Sequence, residues 1–298
     1  MTRKIIAFLL VFLSFNITYA FDKNVYTSIY LLNLGKFDIS TGSFTADFYL
    51  NFECENQCPQ VDFEFMNGRA TSLEKLVDTP KFKSYRIQAN LVSPIDLKKF
   101  PFDNQTLKII IEDKSKAIDE LVFVAKNEDS NIDPSIVFIG WEMGQWKAYS
   151  TEHYYDVYDE TYSQYVFEIP IYRITINAVF KTFLPIIFII LIMLSSFVLD
   201  PDKITTRLGM VGSALVASVM FHVSIANQIP PVSYLTFVDK FMILTYFITL
   251  LSFGFNVFLL ELNEEKKKKL VNKLHRYTEF TMFIVVPILY VLLFLLFL

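Results

Sequence analysis

Six residues, Gly209, Ser213, Val216, Met220, Ser224 and Asn227, recur at spacings of three or four along one apolar stretch, so in a helix they share one face. That face is small or hydroxylated at one end, apolar at Val216 and Met220, and polar again at Asn227. Two kinds of chemistry suit it. Turned toward water, it forms a wall along which ions pass, and a hydrophobic ring at Val216 and Met220 blocks them by dewetting. Turned toward another helix, it is a packing seam, because small residues let backbones approach closely. The spacing alone leaves both readings open.

A helix of this kind needs a membrane around it, and the composition supplies one. Of 298 residues, 53% are hydrophobic and 31 are Phe against only 8 Gly, too apolar for an ordinary water-soluble chain. The excess lies beyond residue 180 in four runs, predicted as helices over about 180–199, 204–226, 240–262 and 278–298. Three are apolar all round; the second carries the polar stripe. The segment 261–278 holds six basic residues, Lys266, Lys267, Lys268, Lys269, Lys273 and Arg276, against three acids. By the bias of positive charge toward the cytoplasm, it lies inside the cell, which places both termini outside.

Residues 21–178 read as a different material. Short runs of alternating polarity, such as 27–34, 44–52, 107–112 and 165–172, are separated by Asp, Asn, Gly and Pro, and no helical periodicity is sustained. The expected fold is a β-sandwich outside the membrane, followed over 179–298 by an all-α four-helix transmembrane domain. The outer domain carries 24 acidic against 15 basic residues, which attracts cations and argues against a nucleic-acid partner. Residues 1–20, with Arg3 and Lys4 ahead of an apolar run and Thr18-Tyr19-Ala20 at the end, have the layout of a secretory signal peptide. A short membrane anchor is the alternative, although the run falls short of the ~20 residues of a span. Export permits a disulfide between the two cysteines, Cys54 and Cys58. No histidine lies near them to make a metal site, and no cofactor is expected.

Enzymatic signatures are missing: no nucleophile elbow, no metal-ligand cluster and no phosphate-binding Gly-rich loop. The three histidines are His153, His222 and His275. His222 lies on the stripe-bearing helix but off the stripe, either as a titrating switch or as a packing residue with its hydrogen bonds satisfied.

Several separated segments resemble the pentameric ligand-gated ion channels, also called Cys-loop receptors. The most specific runs from Ser93-Pro94-Ile95-Asp96 through Phe100-Pro101-Phe102-Asp103-Asn104-Gln105 to Leu107, similar to the family's signature loop. Gly140-Trp141, Arg173 with Pro185 twelve residues on, and Ile229-Pro230 at the end of the second helix follow in the family's order. The resemblance implies a homopentamer whose second helices line a pore for permeant ions, in contact with membrane lipids, and favours the water-facing reading of the stripe. It implies gating roles for Asp103 and Arg173 as an acid–base pair at the domain junction, for Asp38 joining them, and for Phe102 pressing on the loop around Pro230. It further implies a small-molecule agonist bound between subunits behind a hairpin bearing Tyr154, Tyr158 and Tyr162, whose aromatic faces beside carboxylates suit an amine; protons are the alternative stimulus, and an exposed β-hairpin without a ligand is the plain reading. A non-conducting membrane sensor of the same architecture is the competing function.

The chain also departs from the family. Ser93 and Leu107 stand where eukaryotic members carry the naming disulfide, as in bacterial relatives, and the segment between Phe52 and Phe63 is short. Thr205 and Thr206, beside Arg207, occupy the place of the glutamate ring of cation-selective members. Asp200, Asp202 and the acidic outer domain favour cations.

Overall fold

A computed structural model describes residues 21–298, apart from the side chains at 175, 177 and 178. The predicted leader, 1–20, lies outside the described residues. Among the described residues, eleven strands precede four long helices. One sheet runs in the order β4 (Gly68–Asp78), β5 (Phe82–Val92), β2 (Ser43–Glu53), β1 (Asn24–Leu34), β7 (Val122–Ala125), with β8 (Asn131–Ile132) also on β1. The other runs β10 (Lys147–Tyr155), β11 (Glu160–Arg173), β6 (Asn104–Asp113), β3 (Phe63–Phe65), with β9 (Trp141–Met143) on β11.

Alternation explains the layers. In β2, Phe44, Ala46, Phe48, Leu50 and Phe52 are buried, in β6 Leu107, Ile109 and Ile111, and in β11 Tyr165, Phe167, Ile169 and Ile171. Each strand turns every second side chain inward, and the two inner faces merge into one core. The sandwich expected from the sequence is the fold observed. Gly42, in the turn between β1 and β2, has φ +71°, and a Cβ there would meet the Ser93 carbonyl. This turn and the start of the 93–103 loop therefore touch only because residue 42 lacks a side chain.

The helices are α1 (Thr175–Ser195), α2 (Ile204–Ala226), α3 (Phe237–Glu264) and α4 (Lys268–Phe297), each long and apolar enough to cross a membrane. The second matches the expected span at both ends. The fourth begins ten residues before the expected 278, because the lysine-bearing segment has no Pro or Gly to stop a helix, and an apolar count sees only the part suited to lipid. The start of α3 is fixed by a capping box: Asp239 N–H donates to Thr236 Oγ1 at 3.2 Å, and Thr236 N–H donates to Asp239 Oδ2 at 2.8 Å.

The two domains share a core. Leu97 and Phe100, from the loop between β5 and β6, are buried in the same cluster as Phe183, Ile186, Phe237 and Phe241 of α1 and α3. The loop is thus a plug in the top of the helical bundle.

Within the sandwich, Phe167 is fully buried and stacks on Trp146 at 5.2 Å between ring centroids. Phe167→Ala is expected to destabilise the protein by about 3 to 5 kcal/mol, read from the unfolding transition of purified protein. Val137→Ala, at a residue 81% exposed, should stay within about 0.5 kcal/mol.

Candidate functional site

The buried residues of α2 are Ile204, Arg207, Val211, Ala214, Ser218 and Ile225, themselves spaced by three, four and seven, so they form the face packed on the rest of the bundle. The opposite face carries the predicted stripe. Gly209, Ser213, Val216, Met220, Ser224 and Asn227 are all exposed, Val216 at 64% and Met220 at 67%. Thr205 and Thr206 are exposed at the first turn while Arg207 between α2 and its neighbours is buried. The chain therefore leaves uncovered the side of its second membrane helix that the spacing singled out. His222 is off that side and is fully engaged: Nε2 lies 2.9 Å from Asp239 Oδ1 and Nδ1 lies 2.8 Å from Tyr246 Oη, so the ring fastens α2 to α3.

At the domain junction, Arg173, the last residue of β11, reaches Asp103 with both edges of its fork. Nε donates to Oδ1 at 2.8 Å and Nη2 to Oδ2 at 3.0 Å. The Asp103 side chain is 1% exposed, so the pair is charge-assisted and largely dry. Trp141 stands over the guanidinium at 4.4 Å and Phe100 at 5.2 Å, flat contacts that a lysine could not reproduce. Gln105 completes the loop: its Nε2 donates to Asp103 Oδ2 at 2.8 Å and to the Asp96 carbonyl at 2.8 Å, and its Oε1 accepts from Asp96 N–H at 3.1 Å. Ser93 Oγ accepts from Lys108 N–H at 3.0 Å. Hydrogen bonds thus close a loop that holds no cysteine.

One predicted member of this cluster is placed differently. The Asp38 carboxylate does not join Asp103 and Arg173; it caps its own turn, accepting from Ser40 N–H at 2.8 Å and Ser40 Oγ–H at 2.6 Å, and these bonds hold it below the usual carboxylate range. Short Asx turns of this kind win because both partners are local. The Phe102 ring packs on Phe183 at 5.7 Å, Phe237 at 5.7 Å and Phe294 at 6.1 Å, and Ile229 packs against the same cluster. A hydrogen bond also ties the signature loop to the 228–236 loop, with Leu97 N–H donating to Tyr234 Oη at 2.9 Å. Pro230 is half-buried.

The β10–β11 hairpin divides the predicted tyrosines. Tyr158 and Tyr162 flank Tyr155, at 6.4 Å and 5.5 Å. Tyr154 lies on the other face of β10, as strand alternation requires, and its hydroxyl donates to Asp159 at 2.8 Å. Cys54 and Cys58 meet in disulfide geometry, with Cα atoms 5.2 Å apart, and their N–H groups donate to Lys81 and Pro80 in the turn between β4 and β5. Among the described residues, no three His, Cys, Asp or Glu side chains gather as a metal site.

Trp141, Gln105 and Tyr234 make junction contacts that the residue pattern alone did not assign, although all three lie in segments that resemble the channel family. Glu112, buried beneath the hairpin, gave no local signal. Asp103→Asn strips the charge that balances a largely buried guanidinium and is expected to cost about 3 to 5 kcal/mol, measured by unfolding. Arg173→Lys should cost nearly as much despite its charge, because both the fork and the flat contacts are lost.

No protein-family model matches the chain. Over 161 residues the chain is 23% identical to a proton-gated ion channel of Gloeobacter violaceus, a stretch that takes in 54% of this chain and 44% of that protein. The chain thus spans less than half the length of the curated relative that it matches, and to that extent it is similar to an ion channel.

Proposed function

We propose that the chain is a subunit of a homopentameric ligand-gated ion channel, of the kind without a disulfide in its signature loop, in which five copies of α2 surround an aqueous pore. The observation that carries this reading is the exposed stripe on a helix fit to span a membrane. Its opposite face is buried on the rest of the chain, so the stripe must meet something else, and hydroxyl and amide groups favour water over lipid. The similarity to a proton-gated channel agrees with it. The domain order supports a sandwich over 21–178 outside the inner membrane after removal of 1–20, an oxidised Cys54–Cys58 pair there, and the lysine-rich segment at the α3–α4 turn and start of α4 in the cytoplasm.

The gating path follows the chain. β11 runs without a break from the hairpin at Glu160 to Arg173, and α1 starts two residues later. A shift of the hairpin, driven by an amine held between subunits or by protons, moves Arg173 and with it Asp103. The loop carrying Leu97, Phe100 and Phe102 then presses on α1, α3 and Tyr234. The loop that holds Tyr234 and Pro230 ends α2, so α2 tilts and the ring at Val216 and Met220 widens enough to wet. The acidic outer domain and the Asp200–Asp202 mouth favour cations. Proton gating is the reading that the similarity to a proton-gated channel favours over an amine.

Purified protein in planar bilayers tests this directly while pH is lowered and simple amines are added. Current in at least one condition is expected, and silence in all of them favours a non-conducting sensor. Val216→Ser replaces an apolar gate by a hydroxyl and should pass current without stimulus. An unchanged closed state would remove Val216 from the gate.

A further inference from the structure

The outer face of the sheet β10-β11-β6-β3 hides a carboxylate from water. The Glu112 side chain is 3% exposed, although it lies on the face of β6 opposite to the inward Ile109 and Ile111. Its cover comes from the hairpin. Tyr155 Oη donates to Oε1 at 2.8 Å, Gln164 Nε2 donates to Oε2 at 2.7 Å, and His153 Nδ1 stands 3.1 Å from Oε2. The imidazole also packs against the Tyr155 ring at 4.3 Å. His153 and Tyr155 belong to β10, the edge strand, which is paired with β11 alone. Their bonds to Glu112 therefore reach across β11 and tie the edge of the sheet to β6.

A carboxylate only accepts, and Tyr155 and Gln164 both donate to Glu112. Burial and the bond to Glu112 push the Tyr155 phenol up to about 12, so it stays a donor at every ordinary pH. His153 Nδ1 also stands 3.0 Å from Gln164 Nε2, so in the neutral ring Nδ1 either donates to Glu112 Oε2 or accepts from Gln164. The histidine side chain is 40% exposed, and Nε2 makes no hydrogen bond among the described residues. In the imidazolium both ring nitrogens are donors, so protonation turns a tautomer-dependent contact into an imidazolium–carboxylate pair. The surroundings reinforce that charge. Tyr162 with Glu160 lies beside it on β11, Glu64 on β3 stands opposite Glu112 in register, and Tyr158 closes the turn. Asp113 is engaged by the backbone of Asp62, Ser115 and Lys116, and Lys114 by Asp62.

We propose that His153 and Glu112 form an acid-strengthened latch that fastens the β10–β11 hairpin to β6. The latch is tighter with the imidazole charged than with it neutral, so it tightens in acid and loosens as pH rises. Its role in gating rests on the channel reading, but its existence does not.

Hydrogen–deuterium exchange of the full-length protein, corrected for intrinsic rates, separates these outcomes without recording current. In wild type, amides over 149–164 should gain about tenfold protection between pH 7.5 and pH 5, the size expected of one charge-assisted bond. In His153→Gln, which keeps a hydrogen-bonding side chain at a part-exposed site, the gain should vanish while protection at pH 7.5 is kept. Glu112→Gln should abolish it as well, and if that variant does not fold, His153→Gln decides alone. Protection that is flat or falls in acid in wild type, or that rises equally in His153→Gln, overturns the latch.

Discussion

Hydrocarbon does not solvate hydroxyls and amides, and a membrane helix that carries them along one side must give that side to protein or to water. α2 obeys half of this rule within its own chain. Val211, Ala214, Ser218 and Ile225 are packed on the neighbouring helices, while Ser213, Ser224 and Asn227 are not covered at all. The uncovered side also places two apolar residues, Val216 and Met220, between polar ones. A ring of such side chains is a barrier to ions that opens by a small change in radius, so the arrangement needs only a modest movement to act as a gate.

That movement has a mechanical route because the two domains are interlocked rather than tethered. Leu97 and Phe100 are core residues of the helical bundle although they belong to a loop of the sandwich, and Arg173 ends the strand that leads into α1. The pair with Asp103 is dry and forked, with aromatic rings at Trp141 and Phe100 against the guanidinium. Such a joint is stiff, since moving the two apart would leave the buried Asp103 carboxylate without its counter-charge. In the proposed channel, strain entering the hairpin would thereby be passed on rather than absorbed at the junction.

The sandwich was legible in the alternating polarity of its strands, and the four membrane helices in the length of their apolar runs. Local competition defeated other expectations. Asp38 found Ser40 two residues away before it could reach Arg173, and Tyr154 fell on the wrong face of β10 by simple alternation. The ring contacts of Phe102 with Phe183, Phe237 and Phe294 were not legible, since nothing in the chain order shows that these residues converge. Glu112 was invisible for a related reason: an acid on an outward strand position reads as solvated, and only the hairpin folding over it from two strands away makes it buried. The lysine-rich start of α4 shows the converse limit, for a helix can run past the lipid that an apolar count detects.

The claim on which the rest stands is that the exposed side of α2 borders water. A single cysteine at Ser213, in a Cys54→Ser, Cys58→Ser background shown to assemble, should react with a small charged thiol reagent added to membranes, and faster under conditions that open the channel. Val211→Cys, on the packed face, serves as the unreactive reference. If the cysteine at 213 were as inert as that at 211 to the charged reagent in every condition, while reacting with a lipid-soluble maleimide, α2 would face lipid and the proposed pore would not exist.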